Sequence, residues 1–67
     1  MSRLHWERHG RNLDLCDGDE LVATIETRRH GNGPTTYHWW LTSRTGAWGM
    51  TTTLDNARRA VLSYVVG

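Results

Sequence analysis

Residues 37–43 read YHWWLTS, and the two adjacent tryptophans decide how the fold is interpreted. The stretch is rich in residues that favour β-strands. Neighbouring side chains on a strand point to opposite faces, so Trp39 and Trp40 cannot both enter one core. A strand here predicts that one tryptophan is buried and the other lies on an outer surface.

The length and composition favour one small domain over residues 1–67. The chain has 67 residues, of which 37% are apolar, so its core is thin. The single cysteine, Cys16, excludes an internal disulfide and is typical of a reducing compartment. No apolar run approaches the roughly 18 residues of a membrane helix, and MSRLHWERHG lacks the apolar stretch of a signal peptide. We expect a cytoplasmic protein.

Turn signals at 9–12, 17–19 and 30–34 separate runs rich in β-branched and aromatic residues. Strands are predicted at 3–9, 12–16, 20–28 and 36–43, and residues 47–50 form either a short fifth strand or a loop. In HGRN, Gly10 occupies the first central position that a type II′ hairpin turn requires. The short connections favour sequential antiparallel pairing.

Residues 51–66, TTTLDNARRAVLSYVV, predict a helix. Thr52 or Thr53 can serve as N-cap, and Asp55 in the first turn can pair with Arg58 or Arg59. The apolar residues form one stripe at spacings of three and four: Leu54, Ala57, Ala60, Val61, Tyr64 and Val65. The predicted class is α+β, an antiparallel β-meander of about four strands with one C-terminal α-helix packed on one face.

The turn lengths set a register for the sheet. A two-residue turn at 10–11 pairs Trp6 with Leu15, and a three-residue turn at 17–19 pairs Leu15 with Leu21. Pairing Ile25 with Trp39 then brings the odd-numbered apolar positions from Leu13 onward to one face, together with Leu4 and Trp6, and we expect this face to pack on the helix. Its predicted members are Leu4, Trp6, Leu13, Leu15, Leu21, Ala23, Ile25, Tyr37, Trp39 and Leu41.

This register leaves Trp40 on the outer face. Its side chain either packs across Thr24 and Val22 to stiffen the sheet, or forms a binding surface, because tryptophan is enriched at interface hot spots. The predicted partner-binding residues are Trp40, His38, Arg28, Arg29, His9 and Arg44. We expect Trp40→Ala to leave the fold largely intact and to reduce partner binding.

The same register places His5, Cys16 and Glu20 in one outer row, and these residues are acceptable Zn²⁺ ligands. His9 faces the same way, but strand rise puts it about 13 Å from His5. No paired-cysteine spacing supports a site. We therefore expect unrelated surface residues and neither metal nor other cofactor.

Catalysis is not expected. The acidic stretch DLCDGDE should raise the pKa of the Cys16 thiol and disfavour a thiolate nucleophile. Ser43 and Ser63 have no His–carboxylate arrangement, and no glycine-rich phosphate loop is present. A chain this short has little room for a closed pocket.

Residues 20–65 combine a tryptophan-bearing strand, Gly46 or Gly49, and a threonine-capped helix beginning TLDNARRA. This organisation resembles the small sheet-plus-helix DNA-binding modules of phage integrases and plant AP2-type regulators. The resemblance implies an exposed sheet face that carries arginine and tryptophan into the major groove. The candidate nucleic-acid contacts are Arg28, Arg29, Arg58 and Arg59.

Two features oppose nucleic-acid binding. Acidic residues Glu7, Asp14 and Glu26 share that face, and the net charge of +1 allows little counterion release. We therefore expect a small non-catalytic interaction protein that binds a protein partner through the outer sheet face. It resembles in kind the small inhibitors and accessory proteins of phages and mobile elements. A nucleic-acid-binding module is the alternative, and a homodimer that covers the aromatic face is also compatible with the sequence.

Overall fold

The computed structural model describes residues 3–42 and 46–65. It confirms the α+β class and the antiparallel meander, with five strands in the order β1-β2-β3-β4-β5 and one C-terminal helix. The elements are β1 (Leu4–His9), β2 (Asn12–Asp17), β3 (Glu20–Arg28), β4 (Thr36–Leu41), β5 (Trp48–Thr51) and α1 (Leu54–Val65). Among these residues, no helix is long and apolar enough to span a membrane.

The first two hairpins are closed by two-residue turns. Gly10 has φ 63°, and Arg11 after it does not have positive φ, as a type II′ turn requires. The second turn is shorter than predicted, because Asp17 pairs with Glu20 and leaves two residues between them. There Gly18 takes the left-handed conformation, with φ 61°.

The register is confirmed between β1 and β2, where Trp6 pairs with Leu15, and between β3 and β4, where Ile25 pairs with Trp39. Between β2 and β3 it is wrong, since Leu15 pairs with Ala23 and not with Leu21. The shorter turn moves the pairing of β2 with β3 by one residue near the hairpin, which exchanges the inward and outward positions of β3 there. A register shift between Leu15 and Cys16 moves the pairing by one more residue and restores the predicted faces.

The extra residue at that shift is Val22, which lies between the partners of Cys16 and Leu15. A bulge of this kind places two residues of one strand opposite one of the other. Ala23 and Ile25 consequently keep their predicted inward orientation, whereas Leu21 pairs with Cys16 and is 42% exposed.

The helix packs on β3, β4 and β5, and covers the inner face of that part of the sheet. Thr53 is its N-cap, because the Asn56 backbone N–H donates to Thr53 Oγ1 at 3.2 Å. Asp55 pairs with Arg59 at 3.1 Å. The buried apolar residues come from both layers: Leu15, Ala23, Ile25, Trp39, Leu41, Ala57 and Val61.

Trp39 joins the sheet to the helix. Its side chain is buried, and its ring centroid lies 5.6 Å from that of Tyr64 on α1. On β5 it is paired with Gly49, where an added Cβ would lie 2.7 Å from Trp39 Cζ2. The missing side chain at Gly49 therefore provides the space that the indole occupies.

We predict that Gly49→Ala destabilises the fold by about 1–3 kcal/mol, because the new methyl group overpacks the indole of Trp39. Urea denaturation followed by circular dichroism measures this change. Met50→Ala on the same strand alters an exposed side chain and should change the free energy of unfolding by about 0.5 kcal/mol or less. A Gly49→Ala protein as stable as the wild type would show that the indole does not pack on β5.

Candidate functional site

Two rows of side chains cross the outer face of the sheet. Each of the five strands contributes one side chain to each row. The histidine row consists of His9, Asn12, Glu26, His38 and Met50. The tryptophan row consists of Glu7, Asp14, Thr24, Trp40 and Trp48. Both rows carry polar or titratable groups on β1 and β2, and both end in apolar side chains on β5. The outer face is thus divided into two halves of different chemistry.

The apolar half is the aromatic patch, which we define as Trp40, Trp48 and Met50. Trp48 is 78% exposed and stands directly opposite Trp40, while Met50 is 54% exposed. Trp40 is half-buried, and its neighbour Thr24 is only 5% exposed although it lies on the outer face. Trp40 therefore belongs partly to the sheet, whereas Trp48 offers most of its surface to a partner.

Sequence reasoning did not place Trp48 or Met50 in this patch. The sequence could have indicated their orientation, because only a glycine on β5 leaves room for the buried Trp39 opposite it. Gly49 is therefore the inward-facing position of that strand. The neighbours of Gly49 must then face outward with Trp40. The strand assignment of 47–50 was needed before that signal could be read.

His38 lies beside the aromatic patch, two residues before Trp40 and directly opposite Met50. Its orientation is supported by Thr36, whose Oγ1 lies 3.1 Å from His38 Nε2 and 2.7 Å from His30 Nε2. The hydroxyl has one proton and two lone pairs, so it can donate to only one of the two imidazoles and accepts from the other. The predicted neighbourhood of Trp40 and His38 is therefore present.

The remaining predicted contacts are more dispersed. His9 is on β1, three strand spacings or about 14 Å from β4, so the structure does not bring it beside Trp40. Arg28 Nε donates to Glu26 Oε1 at 2.5 Å, which locally neutralises its charge. Arg29 is exposed near the end of β3, and Arg44 lies outside the described residues.

Arginines gather at the end of the sheet that is formed by the first hairpin turn and the end of β3. Two shallow clefts lie there, both lined by Arg11 and Arg29, one of them also by Arg8 and the other by Arg28. The arginines predicted on the helix, Arg58 and Arg59, are not part of either cleft. They are exposed on α1, which covers the inner face, whereas Arg28 is on the outer face with Glu26.

The polar half of the outer face holds the titratable cluster, which we define as His5, Glu7, His9, Asp14 and Cys16. The ligand atoms of three of its members, His5, Glu7 and Cys16, lie within 4.8 Å of one another. Glu20, which was predicted in the row of His5 and Cys16, instead pairs with Asp17 because of the shorter turn. The carboxylate that lies beside His5 and Cys16 is that of Glu7 on β1.

Contacts within this cluster shift its proton affinities. The pKa of His5 is raised first by the Arg3 carbonyl oxygen, 3.1 Å from Nδ1, and then by the Glu7 carboxylate, 2.7 Å from Nε2. Hydrogen bonds from His5 and then from the Cys16 thiol lower the pKa of Glu7. Burial first, and then Glu7, raises the pKa of Cys16, so its thiol is not activated as a nucleophile.

Comparison of the chain with protein-family models, with curated proteins and with solved structures finds no match. The functional interpretation therefore depends on the surfaces described above.

Proposed function

We propose that this chain is a non-catalytic interaction module that binds a protein partner through the aromatic patch. The observation that carries the proposal is the 78% exposure of Trp48 beside Met50 and Trp40 on one face. Contiguous exposed apolar surface of this kind marks interaction sites more often than isolated exposed residues do. In a chain of 67 residues the core is small, so an exposed tryptophan withholds a substantial part of the apolar surface that could stabilise the fold.

The surroundings of the patch suit a protein surface. Tryptophan and methionine are enriched at the centres of protein interfaces, and polar groups form the rim. Here His38 and the Arg28–Glu26 pair supply polar groups beside the apolar side chains. Trp48 and Met50 of the patch lie on β5, a strand with one neighbour among the described residues. A partner with an apolar centre and a polar rim complements this arrangement.

We predict that a partner captured from lysate by the wild-type chain is largely lost with Trp48→Ala, and less completely with Trp40→Ala. Truncation of a hot-spot tryptophan typically costs about 2 kcal/mol or more, which weakens binding about thirtyfold. Affinity for the identified partner, measured by isothermal titration calorimetry, gives the fold-change for each variant.

Controls separate binding from folding. Trp48→Ala should change the free energy of unfolding by about 0.5 kcal/mol or less, and Trp40→Ala by up to about 1 kcal/mol, because only Trp40 is packed within the sheet. Leu21→Ala removes a 42% exposed apolar side chain from β3, outside the aromatic patch, and should retain the partner. Equal recovery with all three variants would refute the proposed surface. A molecular mass twice the 7.7 kDa of the monomer, lost in Trp48→Ala, would identify the partner as a second copy.

A nucleic-acid-binding module is the second candidate, and the clefts at the arginine end of the sheet favour it. Among residues 3–42 and 46–65, Arg8, Arg11 and Arg29 have no carboxylate within 4.0 Å, so their charges are available to phosphates. This set differs from the stripe of Arg28, Arg29, Arg58 and Arg59 that the sequence suggested.

Salt dependence decides between the two candidates. A chain that engages three phosphates through these arginines should show a slope of about −3 for log K against log salt concentration on duplex DNA. Fluorescence anisotropy with a labelled duplex measures the slope, and Arg29→Ala should reduce it by about one. Absence of binding at low salt would remove this candidate without affecting the first.

A further inference from the structure

The titratable cluster on β1 and β2 has the composition of a metal site, and neither candidate function uses it. His5 and Cys16 are directly paired across the two strands, and Glu7 follows His5 on the same face. The imidazole nitrogen, carboxylate oxygen and sulfur lie within 4.8 Å of one another. Three ligands of different type thus converge from two adjacent strands.

The spacing is close to that of bound zinc. Zn²⁺ binds nitrogen and oxygen at about 2.0–2.2 Å and sulfur at about 2.3 Å, which separates two tetrahedral ligands by about 3.4–3.6 Å. The side chains of His5 and Glu7 are 46% and 45% exposed. Both can therefore change rotamer without disturbing the core, so that the widest separation closes by about 1 Å and the 2.7 Å between His5 Nε2 and Glu7 Oε2 opens by about 0.7 Å.

The second nitrogen of His5 has the partner that metal-bound histidines usually have. Its Nδ1 lies 3.1 Å from the Arg3 carbonyl oxygen. Nε2 donates to Glu7 Oε2 at 2.7 Å in the structure, so coordination requires that Nε2 lose this proton. The Arg3 contact is independent of the ligand spacing, and it holds the remaining proton on Nδ1, which is the tautomer that coordination through Nε2 requires.

The local charge also favours a cation. Glu7 and Asp14 are direct cross-strand neighbours, and like charges in that position destabilise a sheet. In the structure His9 lies between them, with Nε2 3.5 Å from Glu7 Oε1 and 3.9 Å from Asp14 Oδ2. A divalent cation at Glu7 would place positive charge beside both carboxylates.

We propose that His5 Nε2, the Glu7 carboxylate and Cys16 Sγ form a Zn²⁺ site with a fourth coordination position open to water or to a partner. Imidazole, carboxylate and thiolate together suit zinc better than magnesium or calcium, which prefer oxygen ligands alone. On binding, the Cys16 thiol and His5 Nε2 each release a proton to solvent, and the thiolate sulfur and the imidazole nitrogen bond to the metal. This reverses our sequence-based expectation of no metal site, which considered Glu20 instead of Glu7.

Cobalt titration of the full chain tests the site, because Co²⁺ in a thiolate site gives a sulfur-to-metal charge-transfer band that Zn²⁺ then removes by displacement. The metal-free protein is first prepared with a chelator and gel filtration. We expect the wild type to form a one-to-one complex that shows the band, and Cys16→Ser to show no band. His5→Gln and Glu7→Gln should bind cobalt at least about tenfold more weakly, because removal of even an outer-shell partner of a metal ligand typically weakens binding by that factor.

Glu20→Gln is the matched control, since Glu20 is an exposed carboxylate that the structure pairs with Asp17 and not with Cys16. It should bind cobalt and zinc as the wild type does. Circular dichroism confirms that each variant folds, and His5→Gln, on the exposed edge strand, keeps the test informative if Cys16→Ser does not. A wild-type chain without the charge-transfer band, or with binding unchanged in both His5→Gln and Glu7→Gln, would overturn the proposal.

Discussion

The opposite orientation of Trp39 and Trp40 is the constraint on which the rest of the structure depends. The indole of Trp39 fills the space above Gly49 and contacts Tyr64, so it fixes β4, β5 and the helix together. Trp40, the next residue on β4, must then face outward, and so must the residues paired with it on the neighbouring strands. The outer face and both of its surfaces follow from this one packing arrangement.

The two halves of the outer face have different physical costs. The aromatic patch leaves apolar surface in water, and the titratable cluster holds two carboxylates side by side, so neither is arranged for folding stability alone. A protein partner would remove the first cost and a cation the second. Because the halves are about three strands apart, a partner on β4 and β5 and a metal on β1 and β2 can be present together.

The sequence predicted the elements whose signals are local. Gly10 specified its turn, Thr53 is the one of the two predicted N-cap candidates that caps the helix, and the alternation at Trp39 and Trp40 is confirmed. It failed where pairing depends on the partner strand. The shorter turn after Asp17 placed Leu21, not Glu20, opposite Cys16, and the extra residue Val22, which has no local signature, restored the inward orientation of Ala23. The arginine clefts also depend on how the first hairpin and β3 meet, which spacing alone does not specify.

Hydroxyl-radical footprinting with mass-spectrometric readout of the individual tryptophans tests the central packing arrangement most directly, since oxidation follows side-chain exposure. Trp48, at 78% exposure, should be oxidised fastest, Trp40 more slowly, and Trp39, at 6%, hardly at all until the chain is unfolded in urea. Oxidation of Trp39 in the folded protein at a rate equal to or above that of Trp40 would contradict the assignment of the two faces.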